Sequence, residues 1–191
     1  PIINSDESAL SNSSISIMPI ENEGSDETVL CIEIEIQENI NSIQFVNPEC
    51  LLKMLILDTG NMTTMKDLFK NCTQLNSIEC SDWDTSNVTD MSGMFSDCCS
   101  LTTLDLSDWN VSNVTNMYKM FIACYKLKSL NLSGWDMSLV EDTRGMFDDD
   151  NELKVVTLNN SHSTSINKII ARLPERSEND PGALYVVGSN N

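Results

Sequence analysis

The stretch Trp83-Asp-Thr-Ser-Asn-Val-Thr-Asp-Met-Ser-Gly-Met-Phe-Ser-Asp-Cys98 decides the fold, because its pattern returns along the chain every 26 residues. The three tryptophans, Trp83, Trp109 and Trp135, are separated by this same interval. Written in rows of 26, the chain aligns its apolar residues in columns: Phe69, Phe95, Phe121 and Phe147; Leu68, Met94, Met120 and Met146; Met62, Val88, Val114 and Val140. A fixed period of this length is the signature of a repeat array.

Each row is expected to fold as a strand, a turn and a short helix. Leu101 to Leu106 has the L-x-x-L-x-L pattern, which is typical of the strand of a leucine-rich repeat. Thr115 to Ala123 is predicted to be helical, because Val114, Met117 and Phe121 lie at helical spacing on one apolar face. The predicted fold class is therefore an α/β solenoid, a leucine-rich-repeat-like array of 26-residue strand-turn-helix units with a parallel sheet, closed by an N-terminal β element and a C-terminal strand.

The sequence divides into four predicted parts. Residues 1–28 form an acidic arm rich in Ser and Asn, residues 29–51 an N-terminal β cap, residues 52–173 the solenoid, and residues 174–191 a closing turn and strand. The arm has too few apolar residues to offset the entropy of ordering, so it is expected to be flexible unless a partner holds it. In residues 29–36, isoleucines alternate with glutamates, as in a half-buried strand.

Charge and composition exclude several classes of function. The chain has 29 acidic and 11 basic residues and a net charge of −18, which argues against binding to nucleic acid or anionic lipid. It contains no apolar run of about 18 residues, so no membrane insertion is predicted. Its start also lacks the features of a signal peptide. The single histidine, His162, lies in a polar loop without a partner at useful spacing, so neither an enzyme nor a cofactor is predicted.

The cysteines and the repeated acidic residues have structural explanations. None of the seven cysteines forms a C-x-x-C pair, and the column Cys72, Cys98 and Cys124 is predicted to be buried and reduced. A second column places an acid or an amide at the start of each turn: Asp58, Asp84, Asn110 and Asp136. Hydrogen bonds to turn amides explain this column, while a divalent cation between rows remains an alternative. No metal site is predicted.

The outward-facing side chains of the strands are the candidate partner-binding face. In stacked repeats such side chains line one shared surface, and surfaces of this kind bind partners. The alternative is a plain solvated sheet. The candidate residues are Ser77, Glu79, Thr103, Asp105, Ser129, Asn131, Val155 and Thr157.

The rows resemble the BspA-type leucine-rich-repeat surface-protein family. Its pattern, D-x-S-x-V-x-x-M-x-x-M-F-x-x-C-x-x-L-x-x-L-x-L-S, is matched nearly throughout by residues 84–107 and, with Asn110 for Asp, by residues 110–133. Residues 58–80 match more loosely, and residues 136–158 depart from the pattern at Thr143 and Asp150. The resemblance implies a non-enzymatic binding or adhesion module, as found on bacterial and protist surfaces and in phage genomes.

From these observations we expect a protein-interaction or adhesion module displayed on a larger assembly. The favoured setting is the surface of a virion, as a decoration, fibre or tail-tip protein of a phage. The alternative is a bacterial cell-surface or secreted adhesin whose secretion signal has been removed. The expected partners are a protein bound by the N-terminal arm and a host-surface protein or glycan bound by the strand side chains.

Overall fold

A computed structural model describes residues 2–4, 14–21, 28–35, 44–46, 53–57, 59–159, 163–174 and 185–189. These contain one helix, α1 (Ser163–Ile170), and ten strands: β1 (Ile2–Asn4), β2 (Ser14–Glu21), β3 (Thr28–Glu35), β4 (Gln44–Val46), β5 (Lys53–Leu57), β6 (Ser77–Ile78), β7 (Thr103–Asp105), β8 (Ser129–Asn131), β9 (Val155–Asn159) and β10 (Tyr185–Ser189). Within those residues, no helix has the length and apolar composition needed to cross a lipid bilayer.

The strands form three sheets. One has the order β10-β9-β8-β7 and is parallel throughout. A second has the order β2-β3-β5-β6, with β2 and β3 antiparallel and the other pairs parallel. The third is the antiparallel pair β1 and β4. Two strands, β1 and β2, thus lie in the segment for which composition predicts a flexible arm, while contact between this segment and a partner stays a prediction.

The prediction of an α/β solenoid built from strand-turn-helix units is wrong, because residues 59–159 contain short strands and turns but no helix. In the segment expected to be helical, alternate amides donate to the next row. The amide of Met117 donates to the carbonyl of Asp142 at 2.8 Å, and that of Phe121 donates into the same row at 3.0 Å. The amide of Lys119, between them, also donates to the next row, whereas that of Met120 donates three residues back and that of Tyr118 donates to Oδ1 of Asn116. An α-helix would instead direct every amide four residues back.

Left-handed backbone conformations also interrupt any helix in these segments. They occur in two columns that follow the period of the repeat, and all their members have φ between 54° and 68°. Successive left-handed residues are incompatible with a right-handed helix, so the succession of turns is a property of the repeat itself. The two columns are Asp67, Gly93, Lys119 and Gly145, and Asn71, Asp97, Ala123 and Asp149.

The core is a stack of equivalent side chains. Phe95 and Phe121 lie parallel with ring centroids 5.6 Å apart, and Phe121 and Phe147 repeat the arrangement. The indole Nε1 of Trp109 donates to the carbonyl of Cys80 at 3.0 Å, which satisfies the one polar atom of a ring that is 1% exposed. Strand residues with inward side chains, such as Leu104, complete the same apolar cluster.

The helix α1 closes the last row. The hydroxyl of Ser165 accepts a hydrogen bond from the amide of Met137 at 2.8 Å. The ammonium group of Lys168 donates to the carbonyls of Met137, Ser138 and Val140 at 2.7, 3.3 and 2.6 Å. In an inner row the carbonyl equivalent to that of Ser138 receives the side-chain amide of Asn113. Lys168 therefore replaces donors that a further row would supply.

Candidate functional site

Six of the eight predicted partner-binding residues lie together on one sheet. Thr103 pairs with Ser129 and Ser129 with Val155, while Asp105, Asn131 and Thr157 make the second line across the same strands. Thr103 and Asp105 on β7 are exposed, and the other four residues are half-buried. We call these six residues the strand face.

The remaining two predicted residues belong to another sheet. Ser77 lies on β6, which pairs with β5 and is not hydrogen-bonded to β7. Glu79 follows β6 and is exposed. The structure therefore does not place all eight residues on one continuous sheet.

Asp105 supplies the charge of the strand face. Its carboxylate accepts hydrogen bonds from the amide and hydroxyl of Ser107, at 3.0 and 2.7 Å, and from Nδ2 of Asn131 at 3.1 Å. Burial alone would raise the pKa of Asp105, but these hydrogen bonds outweigh it and hold the pKa below its ordinary value. The face is thus a small polar surface with one ionised carboxylate.

A second feature lies where the turn segments of four rows run side by side. It is a groove of about 440 Å³, which we call the basic groove, and it contains four of the eleven basic residues of the chain. Its lining residues are Lys66, Asp67, Lys70, Ser92, Gly93, Ser96, Asn116, Tyr118, Lys119, Asp142 and Arg144. The pattern within a single row did not predict this groove.

The basic groove forms because small residues in one row lie between large residues in its neighbours. Ser92 and Gly93 occupy the positions that are Lys66 and Asp67 one row earlier and Tyr118 and Lys119 one row later. A Cβ atom at Gly93 would meet Oδ1 of Asp67, so a larger residue here would have to displace the Asp67 carboxylate. Its left-handed φ does not itself demand glycine, because Asp67 and Lys119 adopt the same conformation. Comparison of these columns is the sequence signal that would have revealed the groove.

Two ion pairs lie within the basic groove. Arg144 makes a bidentate contact with Asp142, with Nε to Oδ1 at 3.0 Å and Nη2 to Oδ2 at 2.7 Å. The hydrogen bonds from Arg144 lower the pKa of Asp142 to about 2. The ammonium group of Lys70 lies 3.5 Å from Oδ1 of Asp67. The ammonium group of Lys119 and the guanidinium group of Arg144 lie 5.2 and 5.7 Å from the centre of the Tyr118 ring, within the range of cation–π contacts.

The acidic column at the turns makes the predicted hydrogen bonds to turn amides. Oδ1 of Asp84 accepts from the amide of Ser86 at 2.9 Å, and Asn110 and Asp136 make equivalent contacts at 3.1 and 3.0 Å. The interpretation is confirmed for these three, while Asp58 lies outside the described residues. The described part of the chain contains no group of three or more potential metal-ligating His, Cys, Asp or Glu residues. His162 also lies outside it.

The cysteine column faces the core, as predicted. Cys72, Cys98 and Cys124 are fully buried, and the five cysteines between residues 59 and 159 are free thiols. The thiols of Cys98 and Cys124 contact the carbonyls of phenylalanines in the preceding row at 3.2 and 3.1 Å. Burial raises the pKa of Cys72 to about 12, so this sulfur remains a thiol and packs as a small apolar group.

Comparison with known proteins identifies one family. A family model described as "Mycoplasma protein of unknown function, DUF285" matches residues 44–161, which is more than half of the chain. The search of curated proteins and the search of solved structures each return no match.

Proposed function

The chain belongs to the DUF285 family, and from this membership and the geometry of its repeats we propose that it is a non-enzymatic interaction module of the BspA type. In this proposal the strand face binds a protein or a glycan on another surface. The observation that carries it is the in-register pairing of short polar side chains, Thr103 with Ser129 and Asp105 with Asn131. Short side chains in register let a partner approach the sheet closely and hydrogen-bond to several rows at once.

The titratable groups support a binding role over a catalytic one. Each of the five cysteines between residues 59 and 159 has a raised pKa, with burial as the largest cause, so none of these five is an activated nucleophile. Among the described residues, Asp150 is the one carboxyl group with a strongly raised pKa, and it is fully buried. A substrate has no access to it from solvent. A perturbed acid or base in an open cleft would have favoured an enzyme.

We further propose that the module is displayed on the outside of a larger assembly, either a virion or, as the alternative, a bacterial cell. The family description names Mycoplasma, a bacterial genus, and a bacterial host suits both settings. Immunogold labelling of intact cells and of purified phage particles distinguishes them. Label confined to particles supports the virion, and label on uninfected cells supports the adhesin.

The test of the strand face is the double variant Thr103→Arg and Ser129→Arg. Both changes place long charged side chains where a partner would approach, while the inward neighbours Leu104 and Leu130 remain in the core. The matched control is Ser81→Arg with Ser138→Arg, which adds the same charge at exposed positions outside the strand face.

The measurement is adhesion of the fluorescently labelled protein to a panel of bacterial and animal cells by flow cytometry. We expect the strand-face variant to lose about tenfold or more in bound protein, because a steric and charge clash across an interface typically costs more than about 1.4 kcal/mol. The control should bind as the parent does. Equal binding by both variants, with unchanged thermal melts, contradicts the proposal.

A further inference from the structure

We propose that the basic groove is an oxyanion-binding site, which receives the sulfate or phosphate group of a small ligand. The site is distinct from the strand face and does not depend on the function proposed for it. Its volume of about 440 Å³ lies in the range of small-molecule sites, so it accommodates an oxyanion together with part of the molecule that bears it.

The distribution of charge first points to an anion. The lining contains four basic side chains and two carboxylates, a net charge of +2, in a chain whose total charge is −18. The rest of the molecule is therefore strongly negative, and the groove is a local exception. Because a long polyanion would also meet that negative surface, the charge pattern favours a small ligand over nucleic acid or a heparin-like chain.

The four basic side chains of the groove differ in whether a carboxylate already pairs with them. Lys70 and Arg144 are engaged by Asp67 and Asp142, as described above. Among the residues that the structure describes, Lys66 and Lys119 make no ion pair with a carboxylate. They belong to the rows on either side of Ser92 and Gly93 and both line the groove, so an anion bound in the groove can reach two cations that no carboxylate engages.

Ser92 provides an independent indication. It lines the groove and is 5% exposed, and within the described ranges its buried hydroxyl has no hydrogen-bond partner. Buried hydroxyl groups are nearly always paired, since leaving one unpaired costs about 1–3 kcal/mol. In this proposal an oxyanion in the groove supplies the missing acceptor.

The experiment titrates the full chain with sodium sulfate and, separately, with sodium phosphate at pH 8. Total ionic strength is held constant with sodium chloride, and amide chemical shifts are followed by NMR. We expect saturable shifts at Ser92, Gly93 and Lys119. Tighter binding of sulfate would assign the natural group to a sulfate ester, and tighter binding of phosphate to a phosphate ester.

Charge variants identify the residues that bind. Lys66→Gln with Lys119→Gln should weaken binding roughly fivefold or more, as expected for the loss of two charge contacts. The control, Lys126→Gln with Lys154→Gln, makes the same change in net charge at exposed positions outside the groove and should bind as the parent does. Asp142→Asn should strengthen binding, because it releases the guanidinium group of Arg144 toward the anion.

Three results would overturn the proposal. The first is a response to sulfate and phosphate no larger than the response to chloride. The second is equal weakening by the groove variant and its control, which would reduce the effect to net charge. The third is retention on heparin without saturable binding of either free ion, which would assign the groove to a polyanion.

Discussion

The rings of Phe95 and Phe121 stack with centroids 5.6 Å apart and planes only 3° from parallel, although the two residues belong to different rows of the repeat. The backbones of these two rows are also hydrogen-bonded to each other, since the amide of Phe95 donates to the carbonyl of Met120 at 2.8 Å. Each ring is held between equivalent rings, so its contribution depends on how many neighbours enclose it.

Phe95→Ala should therefore destabilise the fold more than Phe147→Ala. Phe95 has ring contacts with Phe69, Trp109 and Phe121, whereas among the described residues Phe147 stacks on Phe121 alone, although both are buried. Truncation of a core phenylalanine costs about 3–5 kcal/mol, and each aromatic pair adds about 0.5–1.5 kcal/mol. Urea unfolding measures the difference. Equal losses would show that ring stacking contributes nothing beyond burial.

Asp150 should make the protein less stable as the pH rises. It replaces the cysteine of its column and is fully buried; Oδ1 accepts from the amide of Cys124, while Oδ2 has no partner in the described part of the chain. Burial, with smaller effects from Asp149 and Asp148, raises its pKa to about 8 from an ordinary value of 3.8. Between these two values the unfolded chain has lost a proton that the folded chain retains, so stability falls across this range and levels off above pH 8.

Asp150→Asn should remove this pH dependence, because the amide oxygen still accepts from Cys124 and no charge is buried. We expect the variant to be more stable than the parent by more than about 1 kcal/mol at pH 8 and by less at pH 4.5. Asp148→Asn is the control, since it removes the same charge at an exposed position. Parallel pH profiles for the parent and Asp150→Asn would refute burial of the ionised group as the cause.

Lys168→Met should loosen the C-terminal end of the array. The change keeps the aliphatic chain but removes the donor to the carbonyls of Met137, Ser138 and Val140. A hydrogen bond from a charged group contributes about 1.5–3 kcal/mol, so we expect a loss of about 2 kcal/mol in urea unfolding. Lys154→Met, at an exposed position, should be nearly neutral. A similar loss in both variants would show that α1 does not depend on this contact.

Gly134→Ala should be destabilising although Gly134 is exposed. A Cβ atom there would collide with the carbonyl oxygen of Ser107, a backbone atom held in the preceding row. Forcing the rows apart is expected to cost about 1–3 kcal/mol. Thermal unfolding tests this against Ser138→Ala, an exposed position that already has a Cβ atom. A neutral Gly134→Ala would mean that adjacent rows separate freely at this point.

The repeat period and the inward columns could be predicted from the sequence, because burial repeats wherever Phe, Met and Leu repeat. The helix could not be distinguished from a succession of turns. Turns with hydrogen bonds three residues back also bury Met117 and Phe121 on one side, so the apolar spacing is the same for both. A helix and a succession of turns differ in the hydrogen-bond acceptors of alternate amides. In the turns these acceptors are carbonyls of the neighbouring row.

The candidate sites show the same limit. The strand face follows from alternation within a strand, and its six residues, out of the eight predicted, share one sheet. The basic groove depends on the size difference between Ser92 and Tyr118, which occupy equivalent positions in successive rows and meet only when the rows are stacked. Pattern within a single row contains no information about it.

The hydrogen bonds that join each row to the next impose a rule on how this protein can change in length. Deleting or inserting one residue between Met91 and Met117 would shift every later donor in that row away from its acceptor and turn the buried rings outward. Gain or loss of a whole row leaves each donor with an equivalent acceptor. Chains of this kind therefore lengthen and shorten by duplication or loss of complete rows, and the end contacts of Lys168 must follow whichever row comes last.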